Sequence, residues 1–286
     1  MILVNRHIRN TSIFIIAVVL SGWIGVLVDK IIGGPTQRDT IGMTVWLVLP
    51  LITTILLRIF AKDGWKDAGF KFNIHGNVQF YISSICIFPI VMLVVCFVGY
   101  IFGWIDVSDF NRIEFIKVFA GMFLINLIKN FFEETVWRGY LTEKLIQFNL
   151  NAWKLYLLVG VIWASWHIPY YMVFLPIEDI QQFIDVSRFE FVLISFVVIV
   201  VWSFMFTELY LATKSIWPCV LLHAMEDAIV NPLILNGFIH IAYGKEILVS
   251  PIVGIIPALL FLLVGRILRK MRKSRKTETS TLIEWN

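Results

Sequence analysis

Four stretches of this chain, residues 13–28, 41–57, 78–105 and 247–265, contain no Asp, Glu, Lys, Arg or His. A helix rising about 1.5 Å per residue needs roughly 20 apolar residues to cross some 30 Å of hydrocarbon, so each is predicted as a membrane span. Four more apolar stretches, residues 115–138, 153–174, 189–212 and 215–236, carry ionisable residues within them. The pattern predicts an all-α, polytopic membrane helical bundle of about eight transmembrane helices. Polar connections are short, the longest being residues 58–77 and 175–188, and no repeat or low-complexity block separates the spans. Residues 1–286 are therefore expected to form a single membrane domain.

Composition agrees with lipid as the solvent. Hydrophobic residues make up 59% of the 286 and charged residues 15%, with a mean hydropathy of +0.82, which lies outside the range of soluble domains. Lys and Arg placement sets the expected orientation, because positive residues are retained on the cytoplasmic side. With the N-terminus inside, 18 of the 24 Lys and Arg fall on cytoplasmic segments, so N-terminus and C-terminus are both expected to be cytoplasmic. Arg6 and Arg9 precede an apolar stretch as in a signal peptide, but no small-residue cleavage site follows, and a retained first helix is expected. The net charge of +4 gathers in residues 266–276. A basic run directly after a last span points to anionic lipid and topology, not to nucleic acid. Residues 266–286 read as a basic, disordered cytoplasmic tail. Residues 139–152 alternate apolar and polar at helical spacing and are expected to lie at the membrane interface. Cys86, Cys96 and Cys219 all fall in apolar spans without metal-ligand spacing, which suggests packing roles.

Ionisable side chains are costly in a bilayer, so where they cluster is informative. The first three spans and the last have none. The fourth carries Lys129, Glu133, Glu134 and Arg138, the fifth His167, and the seventh His223, Glu226 and Asp227. Glu134 and Arg138 are one helical turn apart, which lets the guanidinium neutralise that carboxylate. Glu133 is rotated about 100° away and is expected to lack such a partner, keeping the basicity that a general base needs. The competing reading of these three residues is a charge network at a helix end. His167 is framed by Trp163 one turn earlier and by Pro169, which should end or kink the helix. His223 faces Asp227 at four residues and Glu226 at three, and spacing does not choose between them as the partner of the ring. No reactive Ser or Cys accompanies these groups, and no His-Glu-x-x-His is present, which argues against a conventional triad and a zincin. Facing one another, the three clusters would line a wet cavity.

At these residues the chain resembles the CAAX prenyl endopeptidase type II family, also called the CPBP (CAAX protease and bacteriocin-processing) family of intramembrane proteases. Glu133-Glu134-Thr-Val-Trp-Arg138-Gly139 is similar to its Glu-Glu-x-x-x-Arg signature. Trp163-x-x-x-His167 is similar to Phe-x-x-x-His with Trp for Phe, and His223-x-x-x-Asp227 to His-x-x-x-Asn/Asp. A further likeness runs through Tyr210-Leu-Ala-Thr-Lys-Ser215-Ile-Trp217-Pro218. The resemblance covers residues 118–235, expected as the catalytic core. It implies a glutamate-dependent intramembrane endopeptidase acting on a membrane-associated peptide or protein. In that mechanism Glu133 and His167 activate a water, His223 and Asp227 stabilise the oxyanion, and Glu134 and Arg138 support the site. An ionised Asp227 has no proton to donate, so its part would be played as a protonated acid or by orienting His223. A divalent metal could be held by such a set, but a metal-free site is favoured. The resemblance further implies peptide or bacteriocin processing or immunity, in the plasma membrane of a prokaryote. Alternative readings are a secondary transporter, disfavoured because spans one to three have no polar breaks to match those of the second half, and a non-catalytic immunity or scaffold protein on the same fold. One geometric condition attaches to the site: Glu133 and His167 share a depth only if the fourth helix runs on past Gly139.

Overall fold

Side chains at the helix starts fix where the long apolar runs become helices. Thr40 accepts from the Met43 amide, Asn111 from those of Ile113 and Glu114, and Asn151 from that of Lys154. Ser187 and Glu190 form a reciprocal capping box. The structure, a computed structural model, describes the backbone of residues 2–34 and 37–284 and the side chains of residues 5–34 and 37–275. The helices are α1 (Ile2–Ile32), α2 (Ile41–Ile59), α3 (Val78–Ile101), α4 (Arg112–Val136), α5 (Glu143–Ile146), α6 (Ala152–Pro169), α7 (Ile177–Phe183), α8 (Arg188–Thr213), α9 (Trp217–Leu235), α10 (Glu246–Val249) and α11 (Ile255–Glu284). Two π-helical turns, Trp137–Thr142 after α4 and Tyr170–Phe174 after α6, extend those helices. Among the described residues, seven helical stretches are long and apolar enough to cross a membrane. The protein is a multi-pass helical membrane bundle.

Four boundaries differ from those expected. The third span stops at Ile101; Gly103 turns the chain, and Ile105–Asp106 (β1) pairs antiparallel with His240–Ile241 (β2). The last apolar run, 247–265, is broken by a turn at Pro251 and Gly254, so that α11 starts at Ile255. Proline cannot donate a helical hydrogen bond, and a Cβ at Gly254 would strike the backbone of Ser250. Residues 139–152 do not form a separate amphipathic helix: Tyr140, Leu141 and Thr142 are fully buried and continue the fourth helical stretch, which runs unbroken from Arg112 to Ile146. The expected tail from 266 is helical through Glu284, because it has something to hold. Arg272 donates to the buried Glu208 of α8 at 2.5 and 2.9 Å, and Tyr156 of α6 donates to the same carboxylate. Residues 285–286 of that tail, and the side chains from 276 onward, lie outside the described residues.

Burial runs opposite to that of a soluble protein. On α4 the apolar Leu124 and Ile128 are 64% and 67% exposed, while Asn126, Asn130, Glu133 and Glu134 face inward and are buried. A helix in lipid gains nothing by hiding leucine but must satisfy its polar groups internally, and that selects this orientation. Small residues bring helix backbones together. A Cβ on Gly25 of α1 would lie 2.1 Å from the Gly42 carbonyl oxygen of α2, and the Asp29 carboxylate accepts from the Gly42 amide at 2.7 Å. Gly160 of α6 meets Val200 and Ser203 of α8 in the same way.

Candidate active site

The inner face of α4 is built at one-turn spacing, with Asn126, Asn130 and Glu134 in one row and Lys129 and Glu133 in the next. The helix then widens into the π turn at Trp137–Thr142, where the Thr142 hydroxyl donates five residues back to the Trp137 carbonyl at 2.8 Å. π turns recur at functional sites because they re-aim side chains without ending the helix. This one is held from outside. The buried Arg58 at the end of α2 donates to the Gly139 carbonyl at 2.5 Å and to Asp67 at 2.7 Å, and the loop carbonyl of Ala68 leaves no room for a Cβ on Gly139. Burial pushes the Asp67 carboxyl up, but the hydrogen bond and charge of Arg58, with the charge of Lys144, outweigh it and hold the group below its ordinary range.

Arg138, set by that turn, donates to both oxygens of Glu134 at 2.8 and 2.9 Å, the pair that the spacing predicts. Its guanidinium is sandwiched between Trp163 of α6 and Phe206 of α8, 4.4 and 4.3 Å from the ring centres. Glu134 also reaches across to α9, where its Oε1 lies 2.9 Å from His223 Nδ1. A carboxylate accepts, so Nδ1 carries the proton of that bond, and Nε2 faces Glu226 at 3.9 Å. The partner of His223 is therefore neither of the two residues that the spacing of α9 offers first. Asp227 instead takes Lys129 of α4 at 2.9 Å and the Asn130 amide at 2.8 Å. Nor is Glu133 without a cation: Lys129, one turn before it, stands 3.7 Å away and is shared with Asp227.

His167 lies two residues before the end of α6, where Pro169 closes the regular helix and the π turn begins. Its Nδ1 donates to the Trp163 carbonyl at 2.9 Å, which leaves the Nε2 lone pair available. Tyr171 stacks on the ring at 5.6 Å, and Trp166 meets it edge-on at 4.7 Å. The Trp163 indole stands against both imidazoles, 6.0 Å from His167 and 5.8 Å from His223. Of the six residues singled out by sequence, Glu134, Arg138 and His223 share one set of hydrogen bonds, Glu133 and Asp227 share Lys129, and His167 meets His223 only across the Trp163 ring. A largely apolar cavity of about 220 Å³ adjoins these residues between α2, α4 and α6, with Glu133 and Lys129 in its wall.

His223, Glu226 and Asp227 offer ligand atoms within 4.8 Å of one another, enough in principle for a cation. Lys129 already brings a positive charge to Asp227, however, and a metal there would have to displace or tolerate that ammonium. Sequence reasoning noted Lys129 only as a charge and missed Asn130 and Tyr171. The signal for Asn130 was present as a polar row at one-turn spacing, Asn126, Asn130 and then Glu134.

Residues 115–229 match the family described as type II CAAX prenyl endopeptidase Rce1-like, a stretch that contains all six of these residues. No curated protein matches the chain.

Proposed function

We propose, from the match of residues 115–229 to the type II CAAX prenyl endopeptidase Rce1-like family, that this chain is a glutamate-dependent intramembrane endopeptidase. The observation that carries the reading is the meeting of Glu134, Arg138 and His223 at hydrogen-bond distance, from two different spans, beside Glu133 and Lys129. Packing alone does not account for so many ionisable groups gathered inside a membrane bundle.

The Glu133 carboxylate takes a proton from a water whose other hydrogen is accepted by His167 Nε2. The resulting hydroxide adds to the scissile carbonyl carbon, and the carbonyl electron pair moves to oxygen. His223, donating through Nδ1 to Glu134, presents a protonated Nε2 to that oxyanion, and the carboxylates of Glu134 and Glu226 flank the charged ring. Collapse of the tetrahedral centre breaks the C–N bond, and the amine leaves with the proton held by Glu133. Asp227 is assigned a positioning role: bound to Lys129 and Asn130, it draws the ammonium away from the base.

The substrate is a membrane-associated peptide or protein, admitted in extended form beside Glu133, and its apolar side chains suit the adjoining cavity. With α11 as an eighth crossing beside the seven apolar stretches, both termini are cytoplasmic on the distribution of Lys and Arg, as in the plasma membrane of a prokaryote. The mechanism is metal-free, with Lys129 as the resident cation. Purified protein in detergent should cleave a panel of amphipathic peptides, and a chelator should leave the rate unchanged. Absence of cleavage across peptides and membrane-protein substrates would overturn the activity, and loss with chelator would overturn the metal-free form.

A further inference from the structure

The basic part of α11 has two faces with different surroundings. Arg269, Arg272 and Arg275, three residues apart, turn toward the protein: Arg269 lies over the Trp153 ring at 4.8 Å, Arg272 pairs with Glu208, and Arg275 donates to Asn77. Arg266, Lys270 and Lys273 lie on the adjoining, outward side and are exposed. Among the described residues, Arg266 and Lys270 have no hydrogen-bond or ion-pair partner. One face of the helix is thus committed to holding α11 against α6, α8 and the start of α3.

The outward face continues an apolar stripe. Leu259, Leu263 and Ile267 are 60%, 52% and 50% exposed and lie at successive turns directly before the charges. From Leu263 to Lys270 the helix rises about 10 Å, the distance over which a membrane passes from acyl chains to headgroups. A surface groove of about 390 Å³ is lined by Arg266, Arg269, Lys270, Lys273 and Ser274. We propose that this groove binds the phosphate headgroup of an anionic phospholipid whose acyl chains lie along Leu259 and Leu263. The apolar stripe favours a lipid over free phosphate, because the charges and the leucines form one continuous surface. The anchored arginines hold the groove in place before the lipid arrives, which limits the ordering that binding requires.

Native mass spectrometry of the full chain in detergent, with phosphatidylglycerol and phosphatidylcholine at equal concentration, tests the assignment without reference to proteolysis. Wild type should retain phosphatidylglycerol in preference, and the R266Q/K270Q/K273Q variant should lose that preference by about tenfold or more. The charge-conserving K270R should retain it, and millimolar inorganic phosphate should not compete. Equal retention by wild type and the triple variant would overturn the site, as would competition by free phosphate. Stronger binding of a duplex oligonucleotide through the same three residues would assign the face to nucleic acid instead.

Discussion

His223 Nδ1 on α9 and Glu134 Oε1 on α4 stand 2.9 Å apart, with Arg138 closing on the same carboxylate from the other side at 2.8 Å. This relay fixes the tautomer of an imidazole from a neighbouring helix and ties the ring to the π turn that carries Arg138. Glu134→Gln keeps the shape but removes the counter-charge of a protonated His223. Peptide cleavage should fall by about 10²–10³, with most of the loss in kcat, since the charge acts on the transition state. Parallel kinetics of wild type and variant in detergent check this, and an unchanged kcat would contradict the relay.

Removing Arg138 strands a fully buried carboxylate and vacates the space between Trp163 and Phe206. Arg138→Ala should cost about 3–5 kcal/mol, the usual penalty for breaking a buried pair from one side. Arg138→Lys should recover little, because an ammonium cannot stack as a planar group between two rings. Unfolding followed in detergent measures both.

Lys129 bridges Glu133 and Asp227, so the two carboxylates depend on one ammonium. Lys129→Met should lower the unfolding temperature and cleavage together, and Asp227→Asn in the same chain should restore part of the stability by removing one of the stranded charges. Asp227→Asn alone leaves Lys129 with Glu133 as its remaining carboxylate, tying up the base, and cleavage should fall about tenfold or more on the scale of general-base catalysis. A double variant that behaves as the sum of the singles would remove the bridge from the account.

Asp67 gives the pH dependence its sign. Its carboxyl is held below the ordinary range by Arg58 and Lys144, so its contribution is present above about pH 4 and is lost as pH falls through the lowered value. The side chain is about a quarter exposed, and solvent screening keeps the effect small, on the order of 1 kcal/mol. Asp67→Asn should therefore lower the unfolding temperature at neutral pH and converge with wild type in strong acid. Equal differences at both pH values would show that Arg58 and Lys144 do not act through that charge.

Much of this arrangement was legible as spacing. Glu134 and Arg138 meet because four residues make one turn, and Pro169 ends α6 where a missing amide must. What spacing cannot show is rotation between helices. The sequence of α9 offers His223 two partners on its own helix, yet the ring turns toward α4, because α4 presents a buried carboxylate already fixed by Arg138. The same limit hid the reach of Lys129 from its own helix to Asp227, and the pairing of Glu208 with Arg272, 64 residues away. Composition marked the tail as disordered, but Glu208, the Trp153 ring and Asn77 give Arg272, Arg269 and Arg275 each a place.

The central claim is that the Glu133 carboxylate is the base that activates water. Glu133→Gln is nearly isosteric and leaves Lys129 paired with Asp227, so the fold should persist, as thermal unfolding in detergent can verify. The cleavage rate of this variant against wild type, on one peptide at saturating concentration, is the most direct measurement. The account predicts a loss of about 10²–10⁴, the usual worth of a positioned general base. A folded Glu133→Gln protein that cleaves at the wild-type rate would contradict it.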